Sequence, residues 1–440
     1  MSSESANGAG EEPRVLARAD HSVSRGRMSE GVVKVLYRLK NSGYKGYLCG
    51  GAVRDLMLDR KPKDFDVCTD AEPRDLRRLF RNARIIGRRF RLAHVIFKDG
   101  IVEVATFRRA PDPEEQQGGP DELLITDDNA FGTPREDAFR RDFTVNALFY
   151  DIEDYSVIDY VGGIDDLENG LIRVIGDPGT RFREDPVRMM RACEFAGRLG
   201  FTIEQRTQEG IQQQRLELLK AAPPRLTEEL LQLLRSGYAS ATVQWMVDLG
   251  VLAVLLPEVL AMIEARDRGA GELSGILPTL DQMIVEGREV SDVVLLAAVI
   301  LPRVMLKRFE AETKSGRMME MAEYRRTVQQ VIDAFLQRFQ IANFKRALIV
   351  QALEGFHRLC GHRWTPAQRQ RFAGKSYFDD ALALFELLVI ATGEGHEALD
   401  LWIAAARQRP KQGRKSEVRR RDSDRRPRDR RPRRRRRRRG

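Results

Sequence analysis

Apolar residues Val32, Val33, Leu36 and Leu39 recur at helical intervals within residues 29–40, and Asn41-Ser42-Gly43 closes the run, so the spacing predicts a helix there. Residues 44–49 read as a short strand that runs straight into Gly50-Gly51 and then a second helical stretch at 53–58. Residues 63–69 alternate acidic Asp64 and Asp66 with apolar Phe65 and Val67, the mark of a strand with one wet face. A helix over 72–82 follows, then strands at 94–97 and 101–107 joined by a Lys98-Asp99-Gly100 turn. Residues 109–135, with Pro111, Pro113, Gly118, Gly119 and Pro120, form a long polar loop. Strand-like composition returns at 143–150 and 156–160.

Beyond residue 178 the periodicity is helical, at 186–199, 226–234, 243–255, 291–301, 322–338 and 378–391, with no fixed-period repeat. The fold class predicted is α+β: a small mixed or antiparallel-sheet head, an all-α neck and body, and a disordered Arg-rich tail. The boundaries are a disordered N-terminal segment at 1–27, the head at 28–170, the helical neck at 171–236, the helical body at 237–408 and the basic tail at 409–440. A chain of 440 residues exceeds one ordinary domain.

The net charge of +10 is concentrated at one end. Residues 411–440 hold 18 Lys and Arg against 4 Asp and Glu, so the rest of the chain is slightly acidic. The longest apolar run, 293–301, is far short of the ~20 residues that span a membrane. The polar, acidic N-terminus lacks the apolar stretch of a signal peptide. These features predict a soluble cytoplasmic protein. Cys49, Cys68, Cys193 and Cys360 fit no zinc spacing and read as reduced, mostly buried thiols.

In a strand, Asp64 and Asp66 share a face, and two such carboxylates repel unless a cation lies between them. Oxygen ligands beside a phosphate substrate suit Mg²⁺, although Asp-x-Asp alone also fits a solvated strand face. Gly50-Gly51-Ala52-Val53-Arg54-Asp55 sits at a strand-to-helix junction, where glycines admit phosphate oxygens to backbone N–H groups and Arg54 can clamp a phosphate. Glu103 is a charge in an otherwise apolar strand, costly unless paired or metal-bound. Asp64, Asp66 and Glu103 are therefore expected to converge around a divalent cation opposite the diglycine turn, the arrangement that two-metal nucleotidyl transfer uses.

GGAVRD (50–55), KPKDFDV (61–67) and IVEVATFR (101–108) are similar to the head of the class II nucleotidyltransferases, the bacterial poly(A) polymerases and tRNA CCA-adding enzymes. RRDFTVNA (140–147), DYVGG (159–163) and EDPVRMMR (184–191) continue the match, and RLTEEL (225–230) resembles the neck motif with Pro224 where a Glu is common. The resemblance, over about residues 28–236, implies metal binding by Asp64 and Asp66, with Glu103 and Asp142 among the catalytic acids. It gives Gly50, Gly51 and Arg54 to the triphosphate, and Arg141 and Asp142 to the sugar. Asp142, preceded by two arginines, is expected to stay ionised. Asp185 and Arg188, three apart on a helix, would read the base edge. Mg²⁺ or Mn²⁺ is the implied cofactor and ATP the implied substrate.

Two activities share this head. Residues 85–95, IIGRRFRLAHV, look like the signature that separates poly(A) polymerases from CCA-adding relatives, with Arg88, Arg89 and Arg91 placed for RNA; His94 is given no catalytic part. The tail, including Arg419, Arg420, Arg421 and Arg433, suits sequence-blind contact with RNA phosphates. These features favour template-independent addition of AMP to RNA 3′ ends, with mRNA turnover as the expected role; addition of CCA or its parts to tRNA is the alternative. The expected partners are RNA 3′ ends, ATP and RNA-decay proteins, with no membrane, for a monomer.

Overall fold

The computed structural model describes residues 12–87, 91–98, 100–109, 130–264, 275–361 and 364–409. Its head is built on β1 (Arg14–Leu16), β2 (Gly46–Cys49), β3 (Asp66–Thr69), β4 (Ala83–Ile86), β5 (Leu92–Ile96), β6 (Ile101–Thr106), β7 (Leu148–Asp151) and β8 (Val157–Asp159). They form one eight-stranded sheet in the order β1-β8-β7-β2-β3-β6-β5-β4. Neighbours are antiparallel except β3 and β6. A parallel pair needs a crossover, and the chain between them supplies a helix and the β4–β5 hairpin.

The head helices are α1 (Glu30–Asn41), α2 (Gly51–Met57), α3 (Pro73–Leu79), α4 (Pro134–Arg140) and α5 (Gly163–Glu168). Ser29 caps α1 by accepting from Val32 N–H, and Val32, Val35, Leu36 and Leu39 make its buried stripe. That stripe packs with Leu48, Val67, Val95, Val102 and Val104 from one face of the sheet. The alternate residues Tyr47, Cys49 and Cys68 turn the other way, where Tyr47 and Cys68 join Phe107 and Phe149 in a smaller cluster. Asp66 and Glu103 belong to this second face by the same alternation.

Residues 12–27 correct the expected disordered segment. β1 adds to the edge of the sheet against β8, Arg14 pairs with Asp165, and Val23 is fully buried. A three-residue edge strand has no room to show apolar periodicity, so the pattern hid it. β4 likewise lies where no strand is expected, because its residues alternate between half-buried and exposed and none is fully buried.

The neck contains α6 (Pro178–Glu184), α7 (Arg188–Leu199), α8 (Gln205–Gln214) and α9 (Pro223–Arg235), with a small parallel pair, β9 (Leu171–Ile172) and β10 (Thr202–Ile203). Ten further helices lie between Ala239 and Arg407 among the described residues. The helix expected over 243–255 is two helices, broken at Gly250, whose φ is +72°. The one expected to stop at 301 continues through Pro302 to Ser315. No helix among the described residues is long and apolar enough to cross a membrane. One apolar cluster runs from Val23 in the head to Ala405 in the last helix.

Candidate active site

β2 ends at Cys49, and Gly50 turns the chain with φ +72° and ψ −138°, a conformation open essentially only to glycine. Its N–H donates to Leu148 O at 3.1 Å, and α2 starts at the next residue. A Cβ at Gly50 would lie 3.0 Å from Arg141 Nη1, so the bare backbone passes directly over that guanidinium. Arg54 lies under Gly51 in the same way, 3.3 Å from the position of a Cβ.

Arg54 departs from its expected role. It is 2% exposed, donates from Nε (2.8 Å) and Nη2 (2.6 Å) to Asp55 Oδ1, and donates from Nη1 to Asn146 Oδ1. Every arm of the guanidinium is engaged inside the head, so it cannot clamp a phosphate bidentately. Its charge acts on the diglycine turn from beneath.

The acidic strand follows from sheet register. Asp66, the first residue of β3, is paired with Cys49 on β2 and with Glu103 on β6, and Glu103 is paired with His94 on β5. The diglycine turn, Asp66, Glu103 and His94 therefore share one end and one face of the sheet. Asp64 stands outside β3, in the approach to it, so period-2 alternation does not place it. It is close enough to act on the charge of Asp66. Removal of water, then the charge of Glu103, push the Asp66 carboxyl up to about 6, with Arg141 pulling down and Asp64 adding to the rise. One side of Asp66 nonetheless stays open to solvent.

Three carboxylates converging on a common point are not found among the described residues. Glu103 is instead turned to His94, whose Nε2 lies 3.0 Å from Glu103 Oε1. The donor set still fits a divalent cation at Asp64 and Asp66. Neither carboxylate has an ion pair or side-chain hydrogen bond among the described residues, and repulsion among carboxylates that the more distant Arg141 only partly offsets is what a cation relieves.

Asp142 is ionised, as expected, for a different reason. Burial, the largest single influence, would raise its carboxyl, but Arg191, donating to Oδ2 from Nη2 (2.7 Å) and Nε (2.9 Å), together with Asn146 and Phe143 N–H, outweighs burial and holds the carboxyl at about 2. Arg141, just before it, points elsewhere: it donates to Asp137 Oδ2 (2.9 and 3.1 Å), and approaches Cys68 Sγ at 3.0 Å. Asp142 thus ties the head to α7 and does not face a cation beside Asp66. Arg141 is a floor under the turn, its donors committed within the protein.

Asp185 and Arg188 do not share a helix face. Asp185 ends α6, Arg188 begins α7, and each has its own partners. Arg225 on α9 grips both oxygens of Asp185 at 2.6 and 2.9 Å. Arg188 donates to Arg181 O (3.1 Å), Glu184 Oε2 (3.4 Å) and Arg140 O (3.4 Å). Pro224 in the neck motif sits in the first turn of α9, where a missing N–H costs nothing, and Glu229 Oε1 lies 3.7 Å from Arg191.

Arg91 is exposed just before β5. Arg88, Arg89, Arg419, Arg420, Arg421 and Arg433 lie outside the described residues. Sequence reasoning missed His94, Asp137, Asn146 and Arg191 as parts of the site. Arg191 and Asn146 stood inside quoted motifs and His94 inside the signature, but their partners are distant in the chain.

Residues 46–173 match the family model for the poly A polymerase head domain, and residues 200–263 match one described as a probable RNA and SrmB-binding site of polymerase A. The poly(A) polymerase I of Escherichia coli O157:H7 is 49% identical over 250 residues, covering 56% of this chain and 54% of that protein. A CCA-adding enzyme of Bacillus velezensis is 35% identical over 221 residues, covering 50% of this chain and 54% of that enzyme. The chain thus aligns with about half the length of these relatives. The Bacillus stearothermophilus CCA-adding enzyme, solved with CTP, shares the fold with a TM-score of 0.60 at 23% identity, over 86% of this chain and 82% of that one. Residues 46–173 are thus similar to the head that poly(A) polymerases and CCA-adding enzymes share.

Proposed function

We propose that this protein is a template-independent poly(A) polymerase, transferring AMP from ATP to RNA 3′ ends with release of pyrophosphate. The observation that carries the reading is the in-register placement of Asp66 and Glu103 beside the Gly50 turn, with Asp66 making no ion pair among the described residues. The 3′-hydroxyl oxygen attacks the α-phosphorus, the bond to the β-phosphate oxygen breaks, and the hydroxyl proton leaves to solvent. Mg²⁺ or Mn²⁺ held by Asp64 and Asp66 would lower the pKa of the attacking hydroxyl and neutralise charge on the departing pyrophosphate. The Gly50-Gly51 turn offers backbone N–H groups at the start of α2 to the triphosphate, over the buried charges of Arg54 and Arg141. Asp185 and Arg188 read the base once their present partners yield to it. Turnover of mRNA in the cytoplasm, by a monomer working with RNA-decay proteins, is the physiological role that this activity implies.

Greater identity to a poly(A) polymerase, 49%, than to a CCA-adding enzyme, 35%, favours this reading, as does the signature at residues 85–95. CCA addition remains the second reading because the fold is shared with solved CCA-adding enzymes. The purified protein is incubated with ATP and an unstructured RNA and, separately, with CTP, ATP and tRNA lacking CCA. A long ATP-dependent ladder on the unstructured RNA is expected. Addition of a few nucleotides to tRNA alone would overturn the proposal in favour of the second reading.

A further inference from the structure

His94 lies in the part of the sequence that separates the two activities, yet the chemistry so far gives it nothing to do. Register puts Arg84, His94, Glu103 and Asp66 in one row across β4, β5, β6 and β3. In-register residues share a face, so the row is a polar line across the same side of the sheet. The other side of these strands, Ala93, Val95, Val102 and Val104, is buried in the core, which locks the backbone beneath the row.

Glu103 is lightly held in that line. Nearly half of its side chain is exposed (47%), and its one ionic contact among the described residues is the imidazole, with Nε2 3.0 Å from Oε1. His94 is better enclosed, at 22% side-chain exposure, and its Nε2 is buried with no aligned hydrogen-bond partner. Nε2 of the enclosed ring therefore meets one charged group among the described residues, the carboxylate next to Asp66. Glu103 Oε2 is left without a partner among the described residues.

We propose that His94 is a positioning residue: it holds one oxygen of Glu103 so that this third acidic group is presented in a fixed orientation beside Asp66. The imidazole acts through the carboxylate and touches neither nucleotide nor RNA. This rests on the polymerase reading, and it supplies a physical reason for a histidine in that stretch of the chain. Partners that orient acidic side chains around a metal commonly cost 10–100-fold in affinity or activity when lost.

The test compares the parent with His94→Ala, His94→Gln, Glu103→Gln and the double variant His94→Ala/Glu103→Gln, each checked for an unchanged melting temperature. Mn²⁺ binding is read by the electron paramagnetic resonance of the free ion, and kcat and KM for ATP come from single-nucleotide addition. His94→Ala is expected to weaken Mn²⁺ binding and lower kcat about 10–100-fold, with KM for ATP within about twofold of the parent. His94→Gln, whose amide nitrogen can donate in place of Nε2, recovers most of the loss. The His94 effect vanishes in the Glu103→Gln background. Full activity and binding in His94→Ala, tighter Mn²⁺ binding in that variant, or losses that multiply in the double variant would each overturn the assignment. An inactive parent on every RNA would sink the polymerase reading instead, while the Mn²⁺ titration would still decide the part played by His94.

Discussion

Replacing Arg54 distinguishes two roles that the sequence alone ran together. In the structure Arg54 is 2% exposed, and its Nε and Nη2 donate to Asp55 Oδ1 at 2.8 and 2.6 Å while Nη1 donates to Asn146. Arg54→Met keeps the stem and removes the charge, leaving Asp55, itself 6% exposed, without its main partner. Breaking a buried pair from one side costs ~3–5 kcal/mol, because the remaining charge stays buried. Arg198 lies 4.0 Å from Asp55 Oδ2 and can take up part of the charge, so the low end, about 3 kcal/mol, is expected. At roughly 2–4 °C per kcal/mol, the head should melt roughly 6–12 °C earlier by circular dichroism. Arg54→Met/Asp55→Leu should recover much of the loss, since an apolar pair needs no counter-charge. KM for ATP should rise only modestly at temperatures where the variant is folded, because the lost charge acts on the turn from beneath without touching the phosphates. An unchanged melting temperature with a tenfold rise in that KM would show that Arg54 is a phosphate clamp and that the buried pair is not what holds it.

Asp142 is held at about 2, below its ordinary 3.8, by Arg191 against the opposing effect of burial. A depressed carboxylate stabilises the fold above its unfolded pKa and loses that contribution as pH falls through the folded value. The parent should therefore lose roughly 2 kcal/mol between pH 4 and 2 from this group; Asp142→Asn should lack that amount at pH 7 and show no such loss in acid unfolding, and matching acid transitions in the two proteins would refute the pairing. Deleting residues 411–440 removes 18 basic side chains. RNA affinity should fall and its dependence on log salt should flatten, with addition of a single nucleotide retained; equal affinities by filter binding would remove the tail from RNA recognition.

Local features were legible in the sequence because they need only neighbours. The stripe of α1, the turn at Gly50 and the alternation in β6 each follow from a few consecutive residues, and each stands where the pattern put it. What escaped is non-local. Arg191 meets Asp142 across 49 positions and Arg225 meets Asp185 across 40, and no window of sequence contains either pair. Motif spacing brought these residues to notice, but their partners were assigned to ligands or to chain neighbours. Read from the sequence, Asp142 is kept ionised by the arginines beside it, and Asp185, with Arg188, is sent to a base edge.

The two carboxylates with displaced titration explain why adjacency misled. Asp66 and Asp142 are both near Arg141 in space or in sequence, and both lose water on folding. Asp66 is raised to about 6 by loss of water first and by the charge of Glu103 second. At Asp142 the same loss of water is outweighed by Arg191 and the hydrogen bonds around it, which hold that carboxyl at about 2. Burial raises both carboxyls, so it is the presence or absence of a closing guanidinium that separates their final positions. A carboxylate already satisfied by a guanidinium gains little from a cation, whereas one crowded by like charges gains much. Asp66 is therefore the group that a divalent ion should find first, and Asp142 is the strut that sets the head against the neck around it.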